Sequence, residues 1–139
     1  MNKTMTLIAG TYQSDRCGIA RYTACLRKEI KTHGIASIFL TTVDAAKAVN
    51  DTNVRKVVKD WGMSQLLALL RAVIFTEADL LHIQHAAGSY SFERAIFLLP
   101  FLLQRLGYRK PIVTTVHEYG WWEWQPPTIP PLFIEWLKT

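Results

Sequence analysis

Apolar residues fall along this chain in short runs that alternate with stretches of helical spacing. Met5 to Ala9 is a mainly apolar run closed by Gly10, the pattern of a buried strand. Thr11 to Cys17 is polar and turn-rich. From Gly18 onward, Ile19, Tyr22, Leu26 and Ile30 recur at helical spacing and are predicted to face a sheet. Arg21, Arg27, Lys28 and Lys31 fall on the other side, where they stay wet. Gly34 follows as a C-cap, with Lys31 and His33 favourably placed at the negative end of the helix dipole.

Ile35 to Thr42 reads as a second strand, Asp44 to Asn53 as a loop with a short helix, and Val54 to Val58 as a brief strand. Asp60 or Ser64 is the expected cap of a helix reaching Phe75, with Leu66, Leu67, Leu70 and Ile74 inward. Asp79 to Gln84 is another buried strand, whose C-terminal end carries His82, Gln84 and His85. Ser91 is the expected cap of the next helix, with Glu93 in its first turn. Ile96 to Leu106 is apolar on almost every side, which predicts a crossover helix buried all round. Pro100 is expected to kink it or reset its start, and Gly107 to end it. Pro111 to Val116 is the last clear strand, followed by His117 and Glu118. This alternation predicts an α/β fold: a Rossmann-like parallel sheet flanked by helices, in one domain over 1–139. Gly120 to Pro131 is rich in Trp and Pro, and Leu132 to Lys138 reads as the opening of a helix. A helix that short at the end of the sequence is expected to belong to a longer protein.

Composition narrows the classes. The chain has 139 residues, half of them apolar and 19% charged, enough to build a core and inconsistent with global disorder. No run of ~18 uncharged apolar residues offers a membrane span. Sixteen basic against eleven acidic residues leave +5, a balance that favours anionic partners. The basic residues are scattered and form no nucleic-acid recognition motif. Cys17 and Cys25 are too few for a secreted disulfide scaffold, and the first ten residues lack the long apolar core of a secretory signal. The expected compartment is the cytoplasm.

Open parallel sheets bind ligands at the C-terminal ends of their strands. Three polar clusters are predicted there: Thr11–Gly18, Gln84–Ser91 and His117–Trp124. Cys17-Gly18 opens a helix whose free N–H groups and dipole suit an anion, although neither a dinucleotide fingerprint nor a Walker pattern is present; a plain loop-to-helix turn has the same pattern. His82, between Leu81 and Ile83, reads as a satisfied core histidine. Gln84 and His85 are candidate donors to sugar hydroxyls or phosphate. His117, directly after a buried strand, is placed to act as acid, base or oriented donor, or to be satisfied by Glu118. No compact HxxxH or CxxC spacing supports a metal site. Trp121, Trp122 and Trp124 read as packing under further protein rather than as sugar platforms.

Three segments, in order, carry a resemblance. Gly18-Ile19-Ala20-Arg21-Tyr22-Thr23, Ala78-Asp79-Leu80-Leu81-His82-Ile83-Gln84-His85 and Lys110-Pro111-Ile112-Val113-Thr114-Thr115-Val116-His117-Glu118 resemble the N-terminal half of a family 4-like retaining glycosyltransferase of the GT-B fold. The resemblance covers most of residues 5–119. It implies sugar transfer from a nucleotide-sugar donor to a glycan, lipid or small-molecule acceptor, with no metal or other cofactor. It implies that Gly18, with Cys17 beside it, lies in the donor-phosphate loop. His117 would be the active-site histidine, and Gln84, His85 and Glu118 would line the acceptor side. Many members pair glycines where this chain has Cys17-Gly18. The C-terminal donor-binding domain of such enzymes is absent from these 139 residues, so the fragment alone is expected to be inactive. The alternative is a non-catalytic binding or partner subunit that completes a site with another chain. Peripheral membrane contact through Ile96–Leu106, with Arg105, Arg109 and Lys110 nearby, is compatible with either.

Overall fold

The structure is a computed structural model and describes residues 2–12, 18–47, 49–91 and 93–117. Five strands form one sheet: β1 (Lys3–Ile8), β2 (Ile35–Thr42), β3 (Val54–Val58), β4 (Leu80–His85) and β5 (Ile112–Val116). Their spatial order is β3-β2-β1-β4-β5 and every pairing is parallel. Four α-helices accompany them: α1 (Gly18–Thr32), the single-turn α2 (Val43–Ala46), α3 (Leu66–Phe75) and α4 (Ala95–Arg105). This is a Rossmann-like α/β fold.

The order explains the layers. From β1 the chain winds outward through β2 to β3, then returns across β1 to β4 and β5. Right-handed crossovers put the helices of these two halves on opposite faces. Leu7, Ala9, Phe39 and Val54 form the core on the α1 face, with Leu26 and Ile30 packed against them. Ile8, Leu40, Leu81 and Ile83 meet α3 and α4 on the other. The helices of the first half cover β1 and β2, so on that face β5 is open: Val113 is 43% exposed.

Several side chains differ from their expected places. The inward stripe of α3 is Leu66, Leu69, Leu70 and Val73, whereas Leu67 and Ile74 are exposed. A run apolar at nearly every position has no periodicity with which to choose its face; packing against α4 and the sheet chooses it. Neither Asp60 nor Ser64 caps α3: the Asp60 carboxylate accepts from Gly62 N–H, and the helix is entered through a 3-10 turn over Met63–Gln65. Ser91 sits at φ +54° after a 3-10 turn over Ala87–Tyr90, four residues before α4 begins, and caps nothing there. Pro100 lies inside α4 without ending it. Helix α4 buries Ala95, Ile96, Leu99 and Leu103 but leaves Phe97, Leu98 and Phe101 exposed, so it is covered on one side only. Arg27 is not wet: it donates to Ser37, to the Tyr12 hydroxyl and to Asp51 at 2.9, 2.7 and 3.0 Å, and lies over the rings of Tyr12 and Phe39. Amphipathic spacing had no way to show these partners, which come from β2 and two loops.

At the strand ends the chain passes very close to itself. A Cβ on Gly10 would stand 1.9 Å from the Ser89 carbonyl oxygen, so the β1 and β4 loops touch backbone to backbone. The Trp61 indole N–H donates to the Gly10 carbonyl at 3.2 Å, and the Tyr90 hydroxyl donates to the Gln84 carbonyl at 2.6 Å. A Cβ on Gly18 meets nothing within 4 Å among the described residues. Gly10→Ala is therefore expected to cost about 1–3 kcal/mol, whereas Gly18→Ala is expected to leave stability unchanged or slightly raised. Urea unfolding of both variants checks this, and equal effects would contradict the packing described.

Candidate functional site

Parallel pairing brings the C-terminal ends of β1, β4 and β5 to one edge of the sheet. Gln84 pairs in register with Thr115, and His82 with Val113, so His82, Gln84, Thr115 and His117 share the face on which α1 lies. On that face they form a chain of hydrogen bonds. Thr115 Oγ1 is 2.8 Å from His82 Nε2, Gln84 Nε2 is 3.2 Å from the same nitrogen, and Gln84 Oε1 is 2.5 Å from His117 Nε2. The His117 backbone N–H donates to the His85 carbonyl at 2.9 Å, so the β4–β5 ladder continues one residue past β5. Tyr22, one turn into α1, meets the His117 ring edge-on at a centroid distance of 4.9 Å. Gly18 is the first residue of that helix.

Gln84 is fully buried and both ends of its amide are engaged. It was expected to offer donors to a ligand; instead it serves His117, which is half-buried and open to the rim. His82 is buried and bonded, as its apolar flanks suggested. His85 is half-buried on the opposite face, its ring 4.7 Å from that of Phe97 on α4 and 6.1 Å from Tyr90. Strand alternation separates it from His117. Cys17, Glu118 and the Trp121–Trp124 cluster lie outside the described residues. Thr115, Trp61 and Tyr90 had no individual role in the sequence reading; Tyr22 was expected to face the sheet but is exposed and turned to His117. Thr115 had a legible signal: in a parallel strand it sits two residues before His117 and shares its face.

Burial holds His82 below the usual histidine range, and the neighbouring His117 pushes the same way. Burial thus favours the neutral ring of His82 beside Thr115 and Gln84. Burial alone raises the Tyr90 phenol far above its ordinary range, which keeps its hydroxyl a donor to Gln84. Among the described residues, no three His, Cys, Asp or Glu side chains gather to hold a metal ion. A cavity of about 640 Å³ lies elsewhere, beside the C-terminal half of α1 and the start of β2, lined by Arg27, Lys28, Lys31 and Asp51 among others. Its lining includes none of His82, Gln84, Thr115 or His117.

The depressed His82 pKa has a sign. The unfolded chain takes up this proton near pH 6.5 and the fold resists it, so stability present above that pH is lost as pH falls towards the folded pKa. Thermal melts at pH 7.5 and 5.5 are expected to show a smaller acid-induced drop in Tm for His82→Gln than for the parent chain. An equal drop would show that His82 is not penalised by the fold.

Comparison with protein-family models, with curated proteins and with solved structures finds no match.

Proposed function

We propose that this domain is the acceptor-side half of a retaining glycosyltransferase that moves a sugar from a nucleotide donor to a hydroxyl acceptor. One observation carries the reading: His117 is held by a buried glutamine at the C-terminal edge of a parallel sheet, beside the opening of α1. A sheet of this topology receives ligands at that edge. The unobstructed α carbon of Gly18 lets a diphosphate approach backbone N–H groups without steric cost. In this reading Gly18 and Cys17 border the donor phosphates and His117 contacts the transferred sugar. Gln84 acts through His117. No metal is required, because the helix dipole and backbone N–H groups carry the anion-binding role.

The apolar surface of α3 and α4 supports peripheral contact with an anionic leaflet. Leu67, Phe75, Phe97 and Phe101 are exposed, and the Arg105 guanidinium lies 5.4 Å from the Phe101 ring. No helix among the described residues is long and apolar enough to cross a membrane. The same exposed surface is also what a non-catalytic subunit would present to a partner chain. Turnover separates the two readings, since only the transferase releases nucleotide.

The test uses the protein expressed from its complete reading frame, with a panel of nucleotide sugars and release of nucleotide as the signal. Release is expected with at least one donor. Loss of one hydrogen bond, about 0.5–1.5 kcal/mol, corresponds to a drop of roughly 2–12-fold in His117→Ala with the fold intact. Gly18→Val is expected to raise the donor KM. No release from any donor, or full turnover in His117→Ala, would reject the assignment. Flotation with vesicles is expected to recover the chain with phosphatidylglycerol and not with phosphatidylcholine; no recovery with either would remove the membrane contact.

A further inference from the structure

We propose that Gln84 is a positioning residue that sets the tautomer of His117, with His82 and Thr115 bonded in turn at the other end of its amide. The role given to His117 rests on the function proposed above; the hydrogen-bond argument does not.

An amide has one accepting end and one donating end, so a chain that runs through it has a direction. Gln84 Oε1 faces His117 Nε2, which must therefore carry a hydrogen. Gln84 Nε2 donates towards His82 Nε2, which must therefore be bare, and the Thr115 hydroxyl donates to that same nitrogen. Neutral His82 then holds its proton on Nδ1. Rotating the Gln84 amide by half a turn would reverse every role: His82 would carry Nε2–H, and neutral His117 would accept from Gln84 with its proton on Nδ1. Gln84 is fully buried, so no bulk water competes for either end. Its backbone is pinned by the Tyr90 hydroxyl. Thr115 is its register partner on β5, which places that hydroxyl within reach of His82.

The consequence is chemical. With Nε2–H committed to Gln84, neutral His117 keeps a lone pair on Nδ1. That nitrogen accepts a hydrogen bond from a hydroxyl group; it does not offer one to a phosphate or carboxylate. The rim is thus set to receive an alcohol, such as a sugar hydroxyl, at His117, while an anion is left to the opening of α1.

Long-range 1H–15N correlation spectra of the histidine-labelled chain at pH 8 read the tautomers directly, without substrate. The chain has four histidines, assigned by loss of signal in single His→Gln variants. In the parent protein His117 is expected as the Nε2–H tautomer and His82 as Nδ1–H. Gln84→Glu places an acceptor at both ends, so His117 is expected to stay Nε2–H while His82 switches to Nε2–H. Gln84→Met removes both ends, and His117 is expected to relax towards a mixture. His117 found as Nδ1–H in the parent chain, or a His82 tautomer unmoved by Gln84→Glu, would overturn the proposal. Should Gln84→Met fail to fold, the parent spectrum alone decides. Because no sugar donor is involved, the tautomers stand or fall separately from the transferase reading.

Discussion

A carboxamide shut away from water must have both ends answered, and in this protein that requirement falls on Gln84. An unanswered end would cost on the order of 1–3 kcal/mol. The partners are His82 from β4 itself and His117 from the residue after β5, and Thr115 of β5 bonds in turn to His82. Satisfying one buried side chain therefore ties β5 to β4 at the C-terminal edge, the edge at which open parallel sheets bind ligands. Behind it, Tyr90 on the Gln84 carbonyl and the Ser89–Gly10 contact fix the loop after β4 against the end of β4 and the loop after β1. Polar order and steric closeness thus act on the same few residues.

This arrangement is one-sided. The α1 face of β4 and β5 carries the polar chain and stays partly open, while the α3–α4 face carries the larger apolar core. The reversal of winding after β3 creates that asymmetry, since helices of the first half cannot reach over β5. A half-open histidine beside a helix N-terminus is the local result. The same reversal brings α3 and α4 together on the other face, where Leu67, Phe75, Phe97 and Phe101 are exposed.

What was legible in the sequence follows from period and punctuation. The elements were readable where glycine or proline punctuates them: Gly10 follows β1, Gly34 follows α1 and Pro111 precedes β5. The inward face of α3 was not, because Leu66 to Phe75 is apolar at almost every step. Arg27 appeared solvated because a helical wheel knows nothing of Tyr12 and Asp51. Gln84 and His117 were found by their position at strand ends. That one serves the other depended on which strand lies beside which, and hydrophobic patterning carries no information on pairing order. His85 was grouped with Gln84 by adjacency in sequence, and a strand sends adjacent residues to opposite faces.

The unity of the Gln84–His117 pair is measured most directly by a double-mutant cycle on unfolding free energy, with Gln84→Met, His117→Phe and the double variant. A bonded pair of this kind is expected to show a coupling of about 0.5–3 kcal/mol. Additive effects, with no coupling beyond error, would mean that the two side chains are neighbours without being joined, and the account of the rim would fail.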